Sequence, residues 1–530
     1  MTDNIKKKPI IWTISGSDCS GGAGIAADIK TGHGLGVEVC HLITANTVQN
    51  SHQLLSVNAI PVEILQQQAA LLIDDKPPSV IKIGLVANVE QVQWLAQLLE
   101  QVKQVIPNLI SVYDPVGQAS VGGSFNSLTQ EQLSPLLQQI DVITPNFMEA
   151  KSLAKLNGLP DENSAEILAK KIYQDFAINT IIVKGGHSHS DDKYSIDHCY
   201  HQLNQLHGKQ DNQDKTQTAM SYQLSTKRIE SHFSHGGGCS FASAIASFLA
   251  QGYLVRDAFT LAKAFVNQGL SASEQASQLY GHQYYGAFEQ QGWPGNAEFF
   301  PQVIDVLSRQ YQDLSAFNSL DLAEKKLGLY PVIDSLYWLK RLLPLGLEII
   351  QLRVKNLAES ELEQVIIAAV ALAKEYDTRL FINDYWQLAI KHGAYGVHIG
   401  QEDLQDADLT AIQQSGIRLG ISTHGCYEFL LAQQLQPSYL AIGAIFPTKT
   451  KDMTGQIQGL DNLRQVLALR PKNKQQKIPV VAIGGINLER ASAVVATGVE
   501  SIAVVTAITE AECSHGISPE QAVTRLQGIV

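Results

Sequence analysis

Short apolar runs alternate with longer stretches in which apolar residues return every three or four positions along this chain of 530 residues. In the first half the runs fall at 10–15, 81–83, 109–113, 142–144 and 181–183, with amphipathic stretches such as 91–105 and 165–176 between some of them. Such alternation predicts a layered α/β domain with a mostly parallel sheet. Residues 200–219 are rich in Gln, His, Asn, Asp and Lys and read as a solvated loop or hairpin insertion. From about residue 278 to 326 the alternation degrades around Gly292-Trp293-Pro294-Gly295, ahead of a helical stretch near 303–311. This segment reads as a connector, too apolar for a free tether and expected to pack on one domain.

Beyond it, eight apolar runs recur with helical segments between them, at 327–333, 348–354, 379–383, 396–399, 418–422, 439–445, 480–484 and 501–506. Eight strands in about 200 residues predict a compact (β/α)8 TIM barrel. Each run ends in polar or glycine-bearing positions, where such barrels keep their active sites. The expected domains are 9–277, a connector at 278–326, and 327–530.

Composition narrows the function. Hydrophobic residues at 45% and charged residues at 17% are ordinary for a globular chain. A formal net charge of -12 argues against nucleic-acid or anionic-membrane binding. It leaves anionic substrates open, since local cations and backbone N–H groups decide those. No run approaches the roughly 18 apolar residues of a membrane span. The first apolar run breaks into glycines and reads as a strand rather than a signal peptide. The cysteines Cys19, Cys40, Cys199, Cys239, Cys426 and Cys513 have no zinc or CxxC spacing. They are expected to be reduced thiols, in a cytoplasmic protein.

Candidate chemistry in the first domain begins with His235-Gly236-Gly237-Gly238-Cys239-Ser240, just before an apolar helix at 241–250. Glycines let the backbone approach an anion, and a helix N-terminus offers unpaired N–H groups to a phosphoryl group. Cys239 there is expected to have a lowered pKa and to suit a general base. A tight turn around a structural cysteine is the competing reading. A second glycine-rich stretch, 16–24, follows the first strand and matches a dinucleotide fingerprint only loosely. Asn146 and Glu149, three apart, share a helical face and could orient water around Mg²⁺, or simply cap a helix. Lys184 ends a strand before Gly185-Gly186 and can reach nucleotide phosphates, or can be a surface lysine.

Together GSDCSGGAGIAADIKT (16–31), ITANTVQN (43–50), KIGLV (82–86), DPV (114–116), ITPNFMEA (143–150), VKGGH (183–187) and HGGGCS (235–240) resemble hydroxymethylpyrimidine and phosphomethylpyrimidine kinase over about residues 9–275. The resemblance implies a ribokinase-like fold and Cys239 as catalytic base. It implies that Gly16 and Gln49 hold a pyrimidine with Asp28 near that pocket. Asn146, Glu149, Lys184, Gly236 and Gly238 would serve ATP and Mg²⁺. The chain departs from the family at Gly237, where Thr is usual, and after Val116, where a Lys-Ser-Gly segment is usual.

In the second domain Gln351, Arg353 and Lys355 alternate onto one face at a strand's end. Two cations and an amide make a poor core and a good diphosphate site. Asp384 and Asp403, from neighbouring loops, suit Mg²⁺, which takes few carboxylates plus substrate oxygens. Helix capping is their other reading. The loops after the seventh and eighth strands commonly bind a phosphate through backbone N–H groups.

From about 327 to 511, LGLYPVIDS, QLRVK, LFINDYWQLAI, GVHIGQEDL, LGISTH, IGAIFPTKTK, VAIGGI and SIAVVTAI resemble thiamine-phosphate synthase. That implies a pyrimidine-diphosphate site at Gln351, Leu352, Arg353, Val354, Lys355, Asn383, Ser422 and Lys451. It implies a thiazole-phosphate site at Thr448, Lys449, Thr450, Gly485, Val505 and Thr506, with Mg²⁺ on Asp384 and Asp403.

The expectation is therefore a bifunctional thiamine-biosynthesis enzyme. One half would phosphorylate hydroxymethylpyrimidine and its monophosphate with ATP, and the other would condense the diphosphate with thiazole phosphate. Its partners would be small molecules, with self-association left open. Two other readings of the first domain stay open: a kinase-shaped binding or regulatory module, and a pyridoxal-type kinase.

Overall fold

The computed structural model describes the chain except residues 1–6, 51–52, 117–127, 157–163, 187–192, 204–218, 230, 232, 281–287, 321–326, 449–456 and 472–476. It divides into two compact units, Met1–Asp305 and Val306–Val530.

The first unit is built on a ten-stranded sheet in the order β10-β9-β8-β7-β6-β5-β4-β1-β2-β3. The strands are β1 Ile10–Ser17, β2 Glu38–Gln49, β3 Leu54–Ala59, β4 Val80–Ile83, β5 Ile110–Tyr113, β6 Val142–Ile143, β7 Thr180–Val183, β8 Tyr194–Gln202, β9 Ala219–Lys227 and β10 Gln302–Ile304. The run β2-β1-β4-β5-β6-β7 is parallel, and antiparallel strands flank it on both sides. Parallel strands are covered on both faces, so β4, β5 and β7 are buried at every position. The helix Gly237–Ala250 is buried from Ser240 to Leu249, as a helix apolar nearly all round must be.

Two features differ from the pattern-based reading, and the hairpin reading of 200–219 is met at its ends. The polar-rich β2 carries the parallel run one strand further, because pairing with β1 and β3 satisfies its backbone despite Thr44, Asn46 and Thr47. The ends of the 200–219 stretch are strands of a β8–β9 hairpin. Val303 and Ile304 are strand rather than helix, because the open edge of β9 takes their backbone groups, and the helix is confined to Val306–Gln310. Residues of the expected connector accordingly serve both units. Gln302–Ile304 belong to the sheet, while Phe317 N–H donates to Gln436 O in the second unit.

The second unit is a closed barrel of β11 Gly328–Ile333, β12 Ile349–Leu352, β13 Arg379–Asn383, β14 Gly396–Ile399, β15 Arg418–Thr423, β16 Tyr439–Ile442, β17 Val480–Ile483 and β18 Ser501–Val504. Neighbours are parallel, and β18 closes on β11. Its interior is filled by Tyr330, Phe381 and Tyr439, with Phe381 edge-on to Tyr439 at 5.0 Å between ring centroids. Glycines make room for them: a Cβ on Gly396 would collide with the Phe381 ring, and one on Gly420 with Tyr439.

Candidate active sites

In the sheet unit the parallel strands all deliver their C-terminal ends to one edge, the usual place for ligands in open α/β sheets. Gly16 and Asp18 lie at the end of β1, Gln49 at the end of β2, Asp114 after β5, Asn146 after β6 and Lys184 after β7. With Gly236, Gly238 and Cys239 they line a cavity of about 730 Å³.

The two glycine-rich loops interlock there. Gly236 has φ +87°, and a Cβ on it would drive into the Gly22 carbonyl. His235 Nε2 meets Asp18 Oδ2 at 2.9 Å, and Asp18 also accepts from the Gly22 and Ala23 N–H groups at 3.1 and 2.9 Å. Burial opposes the Asp18 charge, yet bonds from His235, Gln49 and Ser20 hold its carboxyl well below the usual range. Gln49 keeps a buried side-chain oxygen without a hydrogen-bond partner among the described residues.

Cys239 does not have the expected pKa. Burial pushes its thiol up to about 11; Lys82 and the Gly24 N–H pull the other way, while Asp28 and Asp114 add to the rise. The helix N-terminus is there, but desolvation outweighs it. Asn146 and Glu149 form a reciprocal capping box: Asn146 N–H donates to Glu149 Oε2 at 2.7 Å, and Glu149 N–H to Asn146 Oδ1 at 2.9 Å. They also line the cavity, so the capping box fixes them at its wall. Lys184 donates to Asp114 at 2.8 Å. Burial works against its charge, but Asp114 and Glu149 hold the ammonium above its ordinary value.

Asp28, expected near that pocket, is not among the residues that line the cavity. It is fully buried, and its carboxylate is taken up by Thr13, Lys82 and Ser243. It supports the site from behind rather than facing a substrate.

In the barrel, Gln351 donates to Asn383 Oδ1 at 2.6 Å, joining the ends of β12 and β13. Asp384 follows with φ +64° and meets the side chain of Asp403 from the loop after β14. Burial first, then Asp403, push the Asp384 carboxyl up to about 6, against the pull of Arg353 and Lys355. A carboxylate raised by its neighbour beside two cations fits a divalent ion whose other ligands come from a diphosphate and water. No group of three or more His, Cys, Asp or Glu suited to a metal occurs among the described residues.

Gly485, with φ +60°, sits where a Cβ would strike Phe446 and the Pro447 carbonyl, so the loops after β16 and β17 pack closely. Val505 and Thr506 follow β18. Lys449, Thr450 and Lys451 lie outside the described residues.

One residue that the motif reading passed over is His398. Its Nδ1 meets Tyr439 Oη at 2.7 Å and its Nε2 meets Ser422 Oγ at 2.8 Å. Burial, helped by Arg353, depresses its pKa to about 4, so it is neutral at pH 7. A histidine inside the apolar run 396–399 was the available signal.

Fold and sites together define a two-part transferase. Residues 18–284 match the family model for phosphomethylpyrimidine kinase, and residues 329–508 that for thiamine monophosphate synthase. The thiamine-phosphate synthase of Yersinia pseudotuberculosis is 58% identical over 186 residues, 35% of this chain and 84% of that protein. Among solved structures, a pyridoxal kinase from Staphylococcus aureus is 25% identical with TM-score 0.44, covering 56% of this chain and 97% of the other. A phosphomethylpyrimidine kinase from Clostridium difficile is 25% identical with TM-score 0.37, covering 49% and 99%. The chain belongs to the phosphomethylpyrimidine kinase family and, through its barrel, to the thiamine-phosphate synthases. It is a bifunctional transferase of thiamine biosynthesis, from families that use ATP and typically Mg²⁺. No helix among the described residues is long and apolar enough to cross a membrane.

Proposed function

We propose that the sheet unit makes the pyrimidine diphosphate that the barrel consumes. The observation behind the kinase half is that Cys239 faces a cavity lined by Gly16 and Gln49 together with Asn146, Glu149 and Lys184. The unpaired Gln49 oxygen suits a ring amine, so Gly16 and Gln49 would hold the pyrimidine. Lys184, Asn146 and Glu149 would serve ATP and its magnesium, with Gly236 and Gly238 cradling the transferring phosphoryl group. In the first transfer the hydroxymethyl oxygen bonds the γ-phosphorus as the bond to the ADP oxygen breaks, and the hydroxyl proton passes to Cys239 Sγ as thiolate. In the second transfer the acceptor is a phosphate oxygen that is already anionic.

In the barrel, Gln351–Lys355, Asn383, Ser422 and Lys451 would hold the diphosphate. Thr448–Thr450, Gly485, Val505 and Thr506 would hold thiazole phosphate. Magnesium bound at Asp384 and Asp403 would neutralise charge on the diphosphate. The pyrimidine methylene–oxygen bond breaks with its electron pair leaving on pyrophosphate, Arg353 and Lys355 face the charge that develops, and the thiazole nitrogen bonds to the methylene carbon. Positioning and electrostatics supply the rate. The test is a coupled assay of the full chain with hydroxymethylpyrimidine, thiazole phosphate, ATP and Mg²⁺, products followed by mass. Thiamine phosphate formed only when pyrimidine diphosphate is supplied would leave the sheet unit a binding module.

A further inference from the structure

Lys82 occupies the middle of β4, between Ile81 and Ile83, and is fully buried. Its ammonium donates to both Asp28 oxygens, at 2.9 and 2.8 Å. Asp28 lies on the helix Gly24–Gly34 and also accepts from Thr13 on β1 and from Ser243, the latter at 2.6 Å. Ser243 stands four residues beyond Cys239 on the helix Gly237–Ala250, so the two share a face. The ion pair therefore lies under the face that presents Cys239, about one helical turn along. The Gly24 N–H, at the start of the Asp28 helix, is directed at the Cys239 sulfur. A buried ion pair is seldom more stable than apolar residues of the same volume, so its place in this sheet calls for a use.

We propose that Lys82, anchored by Asp28, is a positioning residue of the kinase half that stabilises negative charge on the Cys239 sulfur. This rests on Cys239 being the base. The charged groups around the sulfur are Lys82 from β4, Asp28 from its helix, Asp114 after β5 and Lys184 after β7. Asp114 and Lys184 pair with each other at the cavity, and His235, next to the glycines, pairs with Asp18. Lys82 is the cation on the buried side.

Two substitutions have opposite expected signs. Lys82→Met leaves less thiolate at a given pH. It should slow alkylation of Cys239 by iodoacetamide about tenfold and move the alkaline rise of ATP turnover with hydroxymethylpyrimidine about one unit higher. Asp28→Asn removes an anion and leaves Cys239 as the acid beside Lys82, so both readouts should move the other way. Alkylation is read at Cys239 by peptide mass in the full chain, and condensation of supplied pyrimidine diphosphate reports on the barrel. Loosened packing alone would expose the sulfur and speed alkylation in both variants. Shifts of the same sign, or none, overturn the proposal. Should Lys82→Met fail to fold, Asp28→Asn decides: with the parent's thermal melt retained, an unchanged or slower alkylation rate overturns it. A Cys239→Ala chain that phosphorylates at the parent rate would end the base reading instead, while the alkylation rates would still report on Lys82.

Discussion

Asp384 and Asp403 reach one another from the loops after β13 and β14, and the Asp384 proton is held to about pH 6. Its folded pKa lies above its unfolded value, so the folded barrel binds the extra proton between about pH 4 and 6. Metal-free stability should therefore fall as pH rises through that window. Magnesium with pyrophosphate should reverse the fall, and Asp384→Asn should abolish it. Melting temperature against pH, with and without Mg²⁺ and pyrophosphate, checks this; a flat profile in the parent protein would separate the two carboxylates. Asp384→Asn should also cut condensation turnover more than it raises the thiazole-phosphate KM, because charge on the leaving group grows toward the transition state.

The high thiol pKa makes a signed prediction for the kinase half. If Cys239 acts as thiolate, kcat/KM for hydroxymethylpyrimidine should climb about tenfold per pH unit at neutral pH and level off only toward about 11. Cys239→Asp, ionised at neutral pH, should flatten the climb. Cys239→Ala should reduce the first phosphorylation by about 10²–10⁴-fold and the second by much less, since a phosphate oxygen needs no base. Equal losses in both transfers would point to a structural role.

Arg353 and Gly485 should separate the two barrel substrates. Arg353→Ala should raise the requirement for pyrimidine diphosphate. Gly485→Ala, strained by its φ of +60° and by contact with the Pro447 carbonyl, should raise that for thiazole phosphate. Steady-state KM values for each substrate decide it, and matching changes in both would merge the two sites.

Gly420→Ala tests the barrel core. The new Cβ would meet the Tyr439 ring and disturb its bonds to Tyr330 and His398. Overpacking of this kind costs about 1–3 kcal/mol. Condensation should become heat-labile while kinase activity keeps its parent profile, as half-life measurements at raised temperature would show.

Periodicity alone made the barrel legible, because eight apolar runs spaced by helical segments have few closed solutions and every expected run became a strand. The sheet unit was less so. Its parallel centre carries continuous apolar runs, but β2, β8 and β10 depend on pairing with neighbours, which no local pattern displays. Motif residues at strand ends, such as Asn146 and Lys184, could be listed from the sequence because the chemistry of phosphate handling limits the residue types, whereas Gln49 came only with the family resemblance. Tertiary structure decided what stands behind them. It put Asp28 under Lys82 rather than in the pocket, joined Asp18 to His235 across the two glycine loops, and set His398 between Ser422 and Tyr439. Burial and distant charge, not the helix end visible in the sequence, set the Cys239 pKa. A sequence records which groups are present, whereas desolvation and Coulomb terms depend on what each group is packed against.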